Sequence, residues 1–324
     1  MNKATIVFLD SSTMGEDFPE PDFSALGTYV PYPVTRPEQV VERIRDAEIV
    51  LTNKVCITAE HMAAAPKLAY IGTVATGYNQ VDIAAAAKRG IPVCNVPDYS
   101  THSVVQHVFT LLLALSSQVC ELGRAVRGGE WSKKEIFCFW DKPSVELHGK
   151  TMGVVGFGDI GSHVAALAHA FGMKVLAHAP RPKPVPGYEP FAFVGLDELF
   201  ARSDVVSLHC PLTPENTGMV NASLLRTMKP GAYLINTARG PLVNESDLAA
   251  ALAEGTIAGA GLDVVCVEPM PDDNPLRLVP NCLITPHVAW SSIEARTRLM
   301  DDVKKNIRCF LDGKPVNVKN GLHD

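Results

Sequence analysis

This chain of 324 residues has no surplus of basic residues, no CxxC pair and no apolar run of membrane-spanning length. Its 29 Lys and Arg stand against 35 Asp and Glu, a formal charge of −6, which leaves no basic face for the phosphate contacts that nucleic-acid affinity rests on. A small molecule is the expected partner instead. The longest apolar stretch, Val104 to Leu115, carries Gln106 and His107 and falls short of the ~20 residues needed to cross a bilayer. It reads as a buried helix, and no membrane partner is expected. Near the N-terminus the apolar run Ile6 to Leu9 is interrupted by Asp10, too short for a secretory core. Eight cysteines, at 56, 94, 120, 138, 210, 266, 282 and 309, are scattered along the chain. Such usage predicts reduced thiols in a cytoplasmic protein, with neither a disulfide framework nor a metal site.

What is present is the composition of an ordinary globular protein, 20% charged and 47% apolar. At roughly 150 residues per domain the length corresponds to two domains with a cleft between them. Short β-branched runs alternate with helical patterns: strands at Thr5 to Leu9, Ile49 to Thr52, Leu68 to Ile71 and Ile91 to Asn95, and helices at Glu38 to Arg45, Ala59 to Ala64 and Val81 to Lys88. This alternation predicts a parallel α/β sheet. A long helix capped by Ser100 or Thr101 runs to about Cys120. A second series then has strands at Thr151 to Gly156, Met173 to His178, Val205 to His209, Ala232 to Asn236, Ala258 to Val264 and Leu283 to Thr285. After it a helix, Ser292 to Leu311, belongs back with the first domain. The expected division is therefore 1–100 plus 291–324 for one discontinuous domain and 101–290 for the other.

Gly156-Phe157-Gly158-Asp159-Ile160-Gly161 follows an apolar strand and opens a helix, Ser162 to Phe171. Gly156 suits the tight turn, Gly158 lets the backbone approach a pyrophosphate, and Gly161 lets helix pack on strand, while the helix N-terminus offers N–H donors to the anion. A dinucleotide is expected there. An NAD-selective site wants an acidic residue at the end of the second strand, yet that strand ends His178-Ala179-Pro180 and no acid occurs between Asp159 and Glu189. Arg181 and Lys183 follow instead, which favours NADP(H) and leaves NAD(H) possible.

Three more segments lie just beyond strand ends: Asn236-Thr237-Ala238-Arg239-Gly240, Asp263 running on to Glu268-Pro269, and Thr285-Pro286-His287. Ligands of open α/β sheets bind outside the carboxyl ends of strands. An Arg, an Asp, a Glu and a His are thus delivered to the edge where the dinucleotide lies. The guanidinium fork matches a carboxylate and polarises an adjacent carbonyl, and imidazole is the one side chain among these that exchanges a proton near neutrality.

These segments, with Val74-Ala75-Thr76-Gly77-Tyr78-Asn79 and Leu208-His209-Cys210-Pro211-Leu212, resemble the D-isomer-specific 2-hydroxyacid dehydrogenases over essentially the whole chain, and are most similar to the glycerate dehydrogenase/hydroxypyruvate reductase branch. The resemblance implies two doubly wound parallel-sheet α/β domains, a Rossmann dinucleotide-binding domain inserted in a flavodoxin-like substrate domain. It implies reduction of a small 2-oxo acid such as hydroxypyruvate or glyoxylate, with hydride from the nicotinamide and a proton from His287, Glu268 supporting the charged imidazole; Arg239, Glu268 and His287 are then the catalytic residues, and the backbone at Thr76 and Gly77, with Arg239, the substrate-carboxylate site. Asp263 would hold the nicotinamide carboxamide. The remaining cofactor contacts fall on Gly156, Gly158, Asp159, Ile160, Gly161, Arg181, His209, Cys210, Pro211, Thr237, Ala238 and His287. Glu268 departs from formate dehydrogenases, which have Gln there, and Thr76 from phosphite dehydrogenases, which have Lys. A homodimer is expected, with the aromatic segment Phe137 to Trp140 either packing at its interface or reaching a substrate through Phe139 or Trp140. Tyr78 and Ser100 are lesser candidates for the cleft lining. A D-lactate-type reductase and a non-catalytic nucleotide-sensing, corepressor-like protein stay open as alternatives.

Overall fold

The computed structural model describes residues 3–322. In chain order the elements are β1 (Thr5–Phe8), β2 (Thr28–Pro31), α1 (Val40–Ile44), β3 (Ile49–Thr52), α2 (Ala59–Ala63), β4 (Tyr70–Thr73), α3 (Ile83–Lys88) and β5 (Val93–Cys94). Then come α4 (Thr101–Ser117), α5 (Val119–Arg127), β6 (Thr151–Val155), α6 (Asp159–Ala170), β7 (Lys174–His178), β8 (Phe191–Phe193) and α7 (Leu196–Arg202). The series ends with β9 (Val205–Leu208), α8 (Ala222–Leu225), β10 (Tyr233–Asn236), α9 (Glu245–Ala253), β11 (Gly259–Leu262), β12 (Cys282–Ile284) and α10 (Ile293–Leu311). Two compact units result, one of residues up to Ser100 together with those from Ser291 on, the other of Thr101–Trp290.

The first unit is built on a five-stranded sheet in the order β2-β1-β3-β4-β5, all parallel, the arrangement of flavodoxin-like folds. Val7, Val50 and Ile71 of its strands, with Leu9 just beyond β1, meet Ile44, Met62 and Ala86 of its helices in the core. Late in the chain, α10 adds the buried Leu299, Val303 and Ile307.

The second unit has seven parallel strands in the order β12-β11-β10-β9-β6-β7-β8, the doubly wound nucleotide-binding order with one strand added. Both faces are covered. Val105 and Leu112 of α4 and Val164 of α6 pack with Val154, Val175 and Ile235 on one side, while Leu199, Leu225 and Leu248 pack with Leu176, Val206 and Leu234 on the other. Strands buried on two faces read as continuous apolar runs, which is why this half stands out in the sequence.

Some local expectations differ from the structure. The helix after the glycine loop starts at Asp159 rather than Ser162, so Gly161 lies inside its first turn, where a Cβ would come within 2.0 Å of the Gly156 carbonyl oxygen. The long helix ends at Ser117, because Gln118 adopts a left-handed conformation at φ 54° and α5 departs at 60°. Strands β2 and β8 carry no sequence signal. Among the described residues no single helix is long and apolar enough to cross a membrane.

Candidate active site

The carboxyl ends of β12, β11, β10, β9 and β6, consecutive in the second unit's sheet, carry the predicted chemistry. After β10, the fully buried Asn236 folds the chain back on itself: its amide nitrogen donates to the Arg239 carbonyl at 2.9 Å and its side-chain oxygen accepts from Ala238 N–H at 3.0 Å. This turn presents Arg239, half-buried, whose guanidinium donates to the Ala238 carbonyl at 2.6 Å. Gly240 then passes so close to the next loop that a Cβ would lie 2.0 Å from the carbonyl carbon and oxygen of Val265. Only glycine permits that approach. The loop it touches, after β11, is pinned by Glu245, which accepts from Cys266 N–H at 2.7 Å and from the Asn274 amide at 2.9 Å.

That loop ends on Glu268, which meets His287 from the loop after β12. Glu268 Oε2 and His287 Nδ1 are 2.6 Å apart, with side chains 33% and 25% exposed. A carboxylate only accepts, so the contact puts a hydrogen on Nδ1 and leaves Nε2 for a ligand. His287 itself has φ 55°, a left-handed conformation that costs a non-glycine residue about 1–3 kcal/mol unless its surroundings enforce it. The enforcement is visible in the bonds around it. His287 N–H donates to the Asp263 carbonyl at 2.8 Å, and its own carbonyl accepts from the Trp290 indole at 3.0 Å.

Asp263, expected to hold a nicotinamide carboxamide, is engaged by several donors of the protein itself. Its side chain is 1% exposed and accepts hydrogen bonds from Thr285 Oγ1 at 2.6 Å, Val288 N–H at 2.9 Å and Ala289 N–H at 2.8 Å. His107 of α4 adds Nε2 at 2.8 Å from Thr285 Oγ1 and 3.4 Å from Asp263 Oδ1. Burial pushes the carboxyl upward, but the bonds from His107, Thr285, Ala289 and Val288 together outweigh it and hold Asp263 below its ordinary value. The carboxylate serves the loop that carries His287.

Gly156, at φ 96°, packs where a Cβ would lie 2.6 Å from Cys210 N, so the glycine loop is fitted against the His209-Cys210 segment after β9. His209 is bonded to the Ser207 hydroxyl at 2.8 Å, and burial pushes its imidazole down to about 3; it is uncharged at neutral pH. Two observations bear on a dinucleotide. A Cβ at Gly158 would meet nothing within 4 Å, so that face of the loop lies open, and the buried Thr237 Oγ1 has no hydrogen-bond partner among the described residues. An open backbone face before a twelve-residue helix and an orphaned hydroxyl after β10 suit a phosphate-bearing ligand. Asp159 turns its carboxylate to the Thr101 hydroxyl and lies 3.6 Å from His163 Nδ1, leaving its backbone N–H as its contribution; Ile160 follows it in the same first turn. Arg181 and Lys183 are exposed beyond β7, and neither joins an ion pair among the described residues.

In the first unit, Thr76 and Gly77 follow β4. Thr76 Oγ1 donates to the Val96 carbonyl at 3.0 Å and the Thr76 carbonyl accepts from the Asn95 amide at 2.7 Å. Of the aromatic segment, Phe137 is 88% and Trp140 64% exposed, while Phe139 lies under the Lys134 ammonium at 5.4 Å. Sequence reasoning missed Asn236 and Glu245 as organisers of the turns. The signal for Asn236 was an Asn immediately before the turn that carries Arg239, a residue type that bonds its own backbone two residues on.

The comparisons with known proteins agree with this geometry. The family model "D-isomer specific 2-hydroxyacid dehydrogenase, NAD binding domain" matches residues 109–289. A hydroxypyruvate reductase of Blautia hydrogenotrophica is 44% identical over 319 residues, 97% of this chain and 99% of that protein. A glycerate dehydrogenase of Methylorubrum extorquens is 42% identical over 316 residues, 97% and 98% of the two chains. Among solved structures, the NADPH-dependent glyoxylate/hydroxypyruvate reductase of Sinorhizobium meliloti in complex with NADP and malonate superposes with a TM-score of 0.84 at 28% identity, covering 98% of this chain and 97% of that one. The nucleotide-binding strand order, the Arg, Glu and His at successive strand ends, and these matches have one reading: the chain belongs to the D-isomer-specific 2-hydroxyacid dehydrogenase family.

Proposed function

We propose that this protein is an NAD(P)-dependent reductase of a short 2-oxo acid, hydroxypyruvate or glyoxylate. The observation that carries the reading is the 2.6 Å pair of Glu268 and His287, on the loop beside the Arg239 turn. Arg239 gives one hydrogen bond to the Ala238 carbonyl, and the rest of its five donors stand ready for the carboxylate and carbonyl oxygen of a 2-oxo acid. Its fixed charge draws electron density from the carbonyl carbon. His287, held through Nδ1, gives the Nε2 proton to the carbonyl oxygen as negative charge develops there, and takes it back when a 2-hydroxy acid is oxidised. The nicotinamide, when bound, supplies the hydride that adds to the carbonyl carbon. Thr76 and Gly77 complete the proposal as backbone donors to the substrate carboxylate.

The cofactor belongs on the open glycine loop, with Gly156, Gly158, Ile160 and Gly161, the backbone of Asp159, the His209-Cys210-Pro211 and Thr237-Ala238 segments, and Arg181 on the 2′-phosphate of NADP(H). Two observations support the phosphate-bearing form: the exposed Arg181 and Lys183, neither in an ion pair among the described residues, and the absence of any acid between Asp159 and Glu189. The exposed aromatics from Trp131 to Trp140 support a homodimer, since such anchors are characteristic of interfaces. The eight free thiols support a reducing, cytoplasmic location.

A matrix of hydroxypyruvate, glyoxylate, pyruvate and phenylpyruvate against NADH and NADPH, followed by absorbance of the reduced nicotinamide, tests the reading. Fastest turnover is expected for hydroxypyruvate or glyoxylate with NADPH, and preference for pyruvate makes it a D-lactate-type enzyme. No turnover with any 2-oxo acid refutes a catalytic role. His287→Ala should lower kcat by roughly 10²–10⁴-fold with little change in cofactor affinity, and Arg181→Ala should weaken NADPH far more than NADH.

A further inference from the structure

The loop that carries His287 is gripped from α4 by two side chains one helical turn apart. Ser103 Oγ donates to the Ala289 carbonyl at 2.7 Å, and His107 Nε2 reaches Thr285 Oγ1 at 2.8 Å, so the two bonds close on the two ends of the 285–289 segment. Between them lies Asp263, which accepts from Thr285 Oγ1, Val288 N–H and Ala289 N–H. A threonine hydroxyl has a single hydrogen, and at 2.6 Å from an ionised carboxylate it is committed to Asp263 Oδ1. The contact with His107 therefore needs its hydrogen on Nε2. The bonds run in one direction, imidazole N–H to hydroxyl to carboxylate, each polarising the next.

An imidazole is a costly way to fill this position if packing is all that is required. Its neighbours on α4, Val104, Val105, Val108, Leu111 and Leu112, are apolar and buried, and the same helix face would accept another aliphatic side chain. What His107 adds is a donor at the one place where the Thr285 hydroxyl needs its lone pair satisfied in order to point at Asp263. Without that donor the hydroxyl keeps Asp263 as its acceptor through a less polarised bond, its own lone pair is left unsatisfied, and this end of the 285–289 segment loses its tie to α4. His287 then loses the enforcement of its φ of 55°.

We propose that His107 is a positioning residue for the acid–base His287, acting through Thr285 and Asp263. The proposal rests on the reading of His287 as proton donor, and His107 touches neither substrate nor cofactor in it. Removing the donor leaves the pair of His287 and Glu268 chemically intact but loosely aimed, so the loss falls on turnover rather than on cofactor binding.

The test uses the full-length protein with His107→Leu, His107→Gln, Thr285→Val and the double variant His107→Leu/Thr285→Val. His107→Leu should lower kcat by about tenfold or more, the scale of one hydrogen bond coupled to a charged group, with NADPH affinity within about twofold. Glutamine places an amide N–H near the position of Nε2 and should recover most of the loss. The double variant should be no worse than Thr285→Val alone, because both changes break one chain of bonds. Amide hydrogen exchange gives a readout independent of catalysis: Val288 and Ala289 should exchange faster in His107→Leu and at the native rate in His107→Gln. Unchanged exchange in His107→Leu, a glutamine variant as impaired as leucine, or multiplying losses in the double variant overturns the proposal. If exchange rises as expected while His287→Ala keeps full turnover, the positioning of the loop stands and the assignment of His287 as donor falls. Should His107→Leu fail to fold, the comparison of His107→Gln with Thr285→Val and Thr285→Ser carries the same decision.

Discussion

Replacing Gly240 by Ala adds one methyl group where the Arg239 turn crosses the loop that leads to Glu268. Built on the present backbone, that carbon lies 2.0 Å from the carbonyl carbon and oxygen of Val265 and 2.5 Å from Cys266 N. All three are main-chain atoms, so no side chain can swing aside. To reach an ordinary contact of 3.4 Å the two segments must separate by roughly 1.4 Å, and overpacking of this kind costs about 1–3 kcal/mol. The larger effect is on geometry, because Arg239 is anchored to the turn that moves and Glu268 to the loop it moves from. Displacement of a reacting group by about 1 Å is enough to cost roughly 10²-fold in rate. Gly240→Ala is therefore expected to lower kcat with hydroxypyruvate by about 10²-fold while the protein still folds and binds NADPH, whose proposed loop lies on β6. Thermal melting, cofactor fluorescence titration and steady-state kinetics measure the three quantities separately. Native kcat in a folded Gly240→Ala protein would show that the contact between these loops does not set the alignment of Arg239 with Glu268 and His287.

Gly158→Ala makes the opposite prediction. Its added carbon meets no protein atom within 4 Å, so thermal stability should stay within about 0.5 kcal/mol while the KM for NADPH rises several-fold if the open face receives the pyrophosphate; an unchanged KM sinks that placement. For His209, burial lowers the imidazole from 6.5 to about 3, so the unfolded chain takes up its proton first as the pH falls. The native state is fully favoured above about pH 6.5 and loses stability below it, by about 2 kcal/mol at pH 5. His209→Gln should flatten that dependence in urea unfolding at pH 7 and pH 5, and an equal pH slope in both proteins contradicts it.

Much of the second unit is legible in the sequence because its strands are buried on both faces. Val205–Leu208 and Tyr233–Asn236 are buried throughout, so they appear as apolar runs, and the residues after them are marked as sheet-edge residues by position alone. The place of Arg239, just beyond β10, is legible in this way. Strand β2 gave no signal because it is an edge strand whose four residues are half-buried or exposed, and β8 none because three residues behind a proline-rich loop are too few to show a period. The turn at Gln118 is invisible for a different reason, since left-handed glutamine follows from tertiary packing and not from local propensity.

Asp263 marks the limit more sharply, because its place is legible in the sequence and its donors are not. Strand periodicity puts it at the end of β11, and nothing local says whether a ligand or the protein will claim the carboxylate. The decision is made by donors far away in sequence. Val288 and Ala289 lie 25 and 26 residues on, and the hydroxyl of Thr285 is set by His107, 178 residues earlier in the chain. In the linear reading His107 was only a polar break in an apolar helix. Two anomalies, each weak alone, explain one another once the fold brings them together: a half-buried histidine on an apolar helix, and a fully buried aspartate at a strand end. A buried polar residue on an apolar face is thus informative in sequence when another strand of the same sheet ends in a titratable group awaiting a donor, because the cost of burying either one alone is removed by their pairing.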